Sequence, residues 1–193
     1  MPINRPVIIY ISAASDLMAE REALARLIAA LPVTLAWRIL QTPLKAEILD
    51  LAVLQKADIY VLVMGGDIRA PVGLEWRVAQ QTGRSSVAFL KRGIPRTPAG
   101  QNFSREAGAL WQLFADATDL RRQAQQMLVE HLLTHALDYG LTPIEVEQLQ
   151  ALQRAGQAPD QPTTSQDAGR SAVILSPERF EPSEGILLEK TVD

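Results

Sequence analysis

Cysteine is absent from the chain, which excludes disulfides and thiolate metal sites. Long apolar runs are also missing. Charges break every hydrophobic stretch before it reaches the length of a membrane span. The first residues, Met-Pro-Ile-Asn-Arg-Pro, lack the charged-then-apolar pattern of a secretory leader and run directly into a strand pattern. A basic footprint is lacking too. Net charge is −3, and nothing resembles the cationic surface of a nucleic-acid binder. These absences lead us to expect a cytoplasmic protein with no membrane and no nucleic-acid partner.

What remains is an ordinary globular composition. Hydrophobic residues make up 47% of 193, enough for one domain with a proper core and an appendage. The charge is uneven. Residues 1–155 carry 16 Lys/Arg against 15 Asp/Glu, and residues 156–193 carry 3 against 7. The body is near neutral and the tail is acidic. The closest approach to a cationic group is Arg84, Lys91, Arg92, Arg96 and Arg105. It reads either as solvated loop charges or as a phosphate-facing patch.

Apolar, β-branched runs predict strands at 7–12, 34–40, 58–64 and 86–90. Helical spacing predicts helices at 16–31, 44–56, 72–82 and 119–139. Thr118 and Gly140 are the expected caps of the last of these. Thr142 and Glu145 form a capping-box pattern opening a further helix to about residue 154. Residues 91–105, with two glycines and two prolines, read as a loop. Residues 110–114 fit a fifth strand or a short helix.

The alternation of strand and helix implies an α/β, flavodoxin-like three-layer sandwich with a parallel sheet of about five strands. The two most apolar strands should lie side by side at its centre, flanking the switch point where such sheets bind ligands. The expected organisation is an α/β domain over 1–140, a C-terminal helix over 141–155 and an acidic, mostly disordered tail over 156–193. Two apolar patches, 172–175 and 186–188, fit docking strands or plain tail.

Two loops should meet at the carboxyl edge of the central strands. The first carries Ser12, Ser15 and Asp16 where a strand runs into a helix start. Such a start offers partial positive charge and unpaired N–H groups. The second runs from Gly65-Gly-Asp67 through Arg69 to Glu75, expected in the first turn of the third helix. Glu75 shares its helix face with Val78, Ala79 and Thr82. A carboxylate there suits a nucleophile or a charge stabiliser for an electron-poor carbon. Asp16 or Asp67 suits sugar hydroxyls, and Arg69 suits a phosphate or carboxylate. A structural account also fits these residues: an acid favoured by the helix dipole, ordinary caps and an ordinary turn.

Arg21 lies on an apolar helix stripe between Leu17 and Leu24. It needs a partner, and Glu20 or a carboxylate from a neighbouring element is expected to provide one. His131 and His135 have metal-compatible i, i+4 spacing, but no third ligand is evident. Neither a metal nor a cofactor is expected.

Three motifs carry a family resemblance. Ser12-Ala-Ala-Ser-Asp-Leu-Met-Ala-Glu-Arg-Glu-Ala-Leu24 resembles the Ser-Ser-Thr-x-x-Asp-Leu-x-x-Glu-Arg-x-Ala signature of an uncharacterised bacterial TIR-like family, group 4062 among domains of unknown function. Ala57-Asp-Ile-Tyr-Val-Leu-Val-Met-Gly65 resembles its Ala/Ser-Asp-Ile-x-Val strand, and Gly73-Leu-Glu-Trp-Arg-Val-Ala79 its Gly-x-x-x-Glu-x-x-x-Ala helix start. Alanines stand at 13 and 14 where the signature has hydroxyl-bearing residues. Ile68-Arg-Ala-Pro replaces an aromatic-glycine segment. That family is similar in fold to TIR domains and nucleoside deoxyribosyltransferases. The resemblance implies a glutamate at Glu75 that attacks or stabilises the anomeric carbon of a ribose, with Ser12, Ser15, Asp16, Asp67 and Arg69 as substrate contacts and NAD as substrate. It also implies a part in bacterial conflict or signalling, alongside a separately encoded effector or a second copy of the chain. The rival expectation is a non-catalytic adaptor that works through its helix faces and tail.

Overall fold

A computed structural model describes residues 5–43, 51–83 and 85–157. The tail from residue 158 onward, with both apolar patches, lies outside the described residues.

Chain order alternates as expected. Strand β1 (Val7–Ala13) leads through a short 3-10 turn (Ser15–Leu17) into helix α1 (Met18–Ala29). Strand β2 (Trp37–Gln41), helix α2 (Leu51–Gln55), strand β3 (Ile59–Met64) and helix α3 (Ala70–Gln81) follow. Next come β4 (Ser85–Lys91), α4 (Pro98–Glu106), β5 (Trp111–Phe114), α5 (Ala117–Thr134), α6 (Ala136–Tyr139) and α7 (Pro143–Gln157).

The sheet order is β2-β1-β3-β4-β5 and every pairing is parallel. This is the doubly wound, flavodoxin-like order, whose ligand crevice lies between β1 and β3. Those two strands are central and buried on both faces. Ile9, Ile11, Ile59, Val61 and Val63 pack on one side with Leu24 and Ile28 of α1, Leu120 and Leu128 of α5, and Leu149 of α7. Tyr10, Tyr60 and Leu62 pack on the other with Leu54 of α2 and Val72, Trp76 and Ala79 of α3. No described helix is long and apolar enough to cross a membrane.

Several boundaries differ from expectation, each for a local reason. The helix expected over 16–31 starts with a 3-10 turn, and neither cap position has a side-chain hydrogen bond. Ser15 and Asp16 are therefore not its N-caps. The strand expected over 34–40 begins three residues later, and of the helix expected over 44–56 only the second half is described. Residues 91–105 are not simply a loop. Thr97 caps α4 by accepting from the Gly100 amide at 3.1 Å, and Pro98 supplies the pre-set first residue. The glycine at 100 permits a close approach: a Cβ there would lie 2.7 Å from the Gly66 carbonyl oxygen.

The ambiguous segment at 110–114 is a strand. The helix expected over 119–139 is capped by Asp116, not Thr118. The Asp116 carboxylate accepts from the Thr118 and Asp119 amides, both at 2.9 Å. It breaks at His135 (φ −108°, ψ 24°) and resumes as α6, which ends at Gly140 with φ 65°. The capping box is present. Glu145 accepts from the Thr142 amide at 2.7 Å, and its other oxygen accepts from the Thr34 amide and hydroxyl at 2.5 and 2.8 Å. The two backbone amides, Thr142 first, lower its pKa to about 2.

Candidate functional site

Helix α3 begins at Ala70, so Glu75 stands past its first turn. The dipole account, which needs a first-turn acid, does not explain it. Its neighbours Val78 and Ala79 are buried with it, as the helical spacing requires. That face lies over β1, where alternate residues Tyr10 and Ser12 point toward α3. Glu75 is 0% exposed. Its Oε1 accepts from the Tyr10 hydroxyl at 2.7 Å. Its Oε2 accepts from the Ser12 hydroxyl and from Thr42 Oγ1, the latter at 2.7 Å. A buried carboxylate must be hydrogen-bonded, and three hydroxyls perform that task here.

The sheet places those hydroxyls. Parallel register pairs Ile11 with Gln41, and the Thr42 amide continues the ladder to the Ile11 carbonyl at 3.1 Å. Thr42 therefore arrives beside Ser12 at the carboxyl end of β1. Tyr60 of β3 stacks on Tyr10 with ring centroids 5.9 Å apart and the planes 8° from parallel. The Tyr60 hydroxyl is buried beside Ser12 without a hydrogen bond of good geometry. Burial raises the pKa of both tyrosines, and the Glu75 charge raises them further, so both stay protonated and Tyr10 donates to Glu75.

Arg21 is buried, but Glu20 is not its partner. Its Nε donates to Gln41 Oε1 at 3.1 Å and its Nη2 to the Thr42 carbonyl at 2.6 Å. Burial lowers its pKa, opposed by the charge of Glu75. Glu20 instead takes Lys91 at 2.6 Å.

The remaining candidates lie further out. Asp16 is exposed at the same edge. A Cβ added to Gly65 would come 3.2 Å from its Oδ2, which puts Asp16 across the β1–β3 crevice. The Ser15 side chain lies outside the described set. Asp67 accepts from the Thr97 hydroxyl at 2.5 Å and from the Ile68 amide at 2.9 Å. The Thr97 bond, then the amide, lowers its pKa. Asp67 thus bolts the turn after β3 to the start of α4. Arg69 is the exposed N-cap residue of α3. The structure brings Ser12 and Glu75 into contact, sets Asp16 at the same edge and leaves Asp67 and Arg69 on the outer loop. Tyr10, Thr42 and Tyr60 were missed from the sequence.

The basic residues are engaged locally. Arg96 donates to the Lys91 carbonyl at 2.9 Å, Arg92 approaches Asp119 at 4.0 Å and Arg105 donates to Asn102 at 2.9 Å. Arg84 lies outside the described residues. His131 shares a 2.8 Å hydrogen bond with the Tyr139 hydroxyl, and His135 one of 3.1 Å with Asp138. Among the described residues no group of three or more His, Cys, Asp or Glu is arranged to hold a metal.

The fold and the crevice define the class: a flavodoxin-like α/β protein with a buried carboxylate beside its switch point. Compared with known families and with curated proteins, the chain matches no family model and no curated sequence.

Proposed function

We propose that the domain processes the N-glycosidic bond of a nucleotide, as TIR and deoxyribosyltransferase modules do, with NAD as substrate and Glu75 as the reacting carboxylate. One observation carries this reading. Glu75 meets Ser12 at the carboxyl edge of β1, oriented by three hydroxyl donors. Neutral donors orient a carboxylate and leave its charge for a developing oxocarbenium carbon. A Glu75 oxygen attacks the anomeric carbon as the carbon–nitrogen bond breaks. Nicotinamide leaves with the bonding electrons and becomes neutral, and water then releases the ribose. Asp16 is suited to a ribose hydroxyl and Arg69 to a phosphate.

A second reading rests on the closure of the cluster. Glu75 and Ser12 are fully buried, as befits an interior polar network that fixes β1, β2 and α3 in a non-catalytic signalling or adaptor domain. Incubation of the purified chain with NAD separates the two. The glycosidic reading expects free nicotinamide, lost in Glu75→Gln. No release by the wild type, even at concentrations that permit self-association, or equal release by Glu75→Gln, leaves the adaptor.

A further inference from the structure

We infer that Thr42 is a positioning residue for Glu75, beside Tyr10 and Ser12, and that Arg21 fixes Thr42 in turn. The inference rests on the glycosidic reading of Glu75 and extends it to two residues on other elements.

Three atoms of Thr42 are committed. Its amide donates to the Ile11 carbonyl at 3.1 Å. Its carbonyl accepts from Arg21 Nη2 at 2.6 Å. Its hydroxyl accepts from the Ala13 amide at 3.2 Å and donates to Glu75 Oε2 at 2.7 Å. A threonine hydroxyl has one proton. A lone pair faces Ala13, and of the two acceptors in reach, Ser12 Oγ at 3.5 Å and Glu75 Oε2 at 2.7 Å, the carboxylate is much the nearer, so that proton is directed at it. The guanidinium of Arg21 is planar, and bonds from Nε to Gln41 and from Nη2 to Thr42 fix its plane. A rigid fork from α1 thus holds the end of β2, and the end of β2 holds a side chain of α3.

The charges follow the same path. Arg21 and Glu75 are opposite and buried, 3% and 0% exposed, and they attract each other. Thr42 stands between them. Arg21 is bonded to a neutral amide and a neutral carbonyl, and Glu75 to neutral hydroxyls. A guanidinium laid directly on the carboxylate would occupy the oxygens a substrate needs. The interposed threonine gives Glu75 an orienting charge at one remove, so that only neutral hydroxyls touch its oxygens.

The test uses the full chain with Thr42→Val, Thr42→Ser, Arg21→Met and Glu75→Gln. Thr42→Val keeps the shape and the carbonyl and removes the hydroxyl. Nicotinamide release should show kcat reduced about 10–100-fold in Thr42→Val with KM unchanged, and restored to within about threefold in Thr42→Ser. Urea unfolding supplies a readout that needs no turnover. A double-mutant cycle of Arg21→Met with Glu75→Gln should show coupling of about fivefold or more in the unfolding equilibrium constant. If Arg21→Met does not fold, the cycle of Thr42→Val with Glu75→Gln replaces it with the same expectation. Wild-type kcat in Thr42→Val, failure of Thr42→Ser to restore it, or additive cycles would overturn the inference. A wild type that releases no nicotinamide but shows coupled cycles removes the glycosidic reading and leaves the Arg21–Thr42–Glu75 linkage standing.

Discussion

On β1, residues Val7, Ile9, Ile11 and Ala13 face α1 and α5, and every one of them is apolar. On the same strand, Tyr10 and Ser12 face α3 and end on a carboxylate. β3 repeats the contrast, with Ile59, Val61 and Val63 on the first face and Tyr60 on the second. The strand period of two lets one segment serve two ends. The α1/α5/α7 face has close-packed hydrocarbon and derives its stability from area removed from water. The α3 face gives up part of that area to hydroxyls, three of which are partnered by Glu75. A glutamate there carries a desolvation cost that its hydroxyl partners must offset. The asymmetry is what both readings of Glu75 have to explain.

Substitutions on the two faces should therefore have opposite profiles. Glu75→Gln should lower nicotinamide release by on the order of 10^4-fold while the melting temperature moves little, because the amide keeps the volume, its oxygen still accepts, and a hydroxyl facing its nitrogen can turn to accept. A large loss of stability in that variant would make the α3 face a structural network like any other. Phe114→Ala on the other face should do the reverse. Phe114 is fully buried, and its loss should cost about 3–5 kcal/mol in denaturant unfolding with the Glu75 cluster intact.

Acid should weaken the side of the sheet covered by α5 and α7. Burial, reinforced by His135, lowers the pKa of His131 to about 4. The unfolded chain then binds the proton more readily than the folded one. Stability is fully present above pH 6.5 and declines as pH falls from 6.5 toward 4. Glu145, lowered to about 2, extends the decline below pH 4.5. Melting temperatures across this range, compared with those of His131→Gln, check the assignment: the variant should lose the upper part of the slope. The smallest effect belongs to the α5 cap. Asp116→Ala should cost about 1 kcal/mol, read as a melting shift that leaves nicotinamide release unchanged.

The sheet order was legible because parallel strands buried on both faces leave long β-branched runs, and residues 7–12 and 58–64 are the clearest of these. The meeting of Ser12 and Glu75 was legible for the same reason, since a strand end and an inward helix face converge at a switch point. Tyr10 was within reach: it stands two residues before Ser12 and must share its face. Thr42 was not. Its place depends on the register of an edge strand whose start was misjudged by three residues, and register is a non-local property. Arg21 shows the same limit. Its burial followed from helical spacing, but its partners come from β2, not from the neighbouring Glu20. Helix α4 was hidden by its own start signal, because the Thr97-Pro98 pair that opens it also resembles a loop.

Glu145 reaches from the start of α7 to the chain entering β2, and Leu149 on the same helix lies in the common core. The helix over 143–157 is therefore part of the domain's wall. A fragment ending at Gly140 would uncover the outer side of α5 and untie the approach to the strand that delivers Thr42. Any minimal version of this protein made for crystals, assays or fusions should end beyond residue 157.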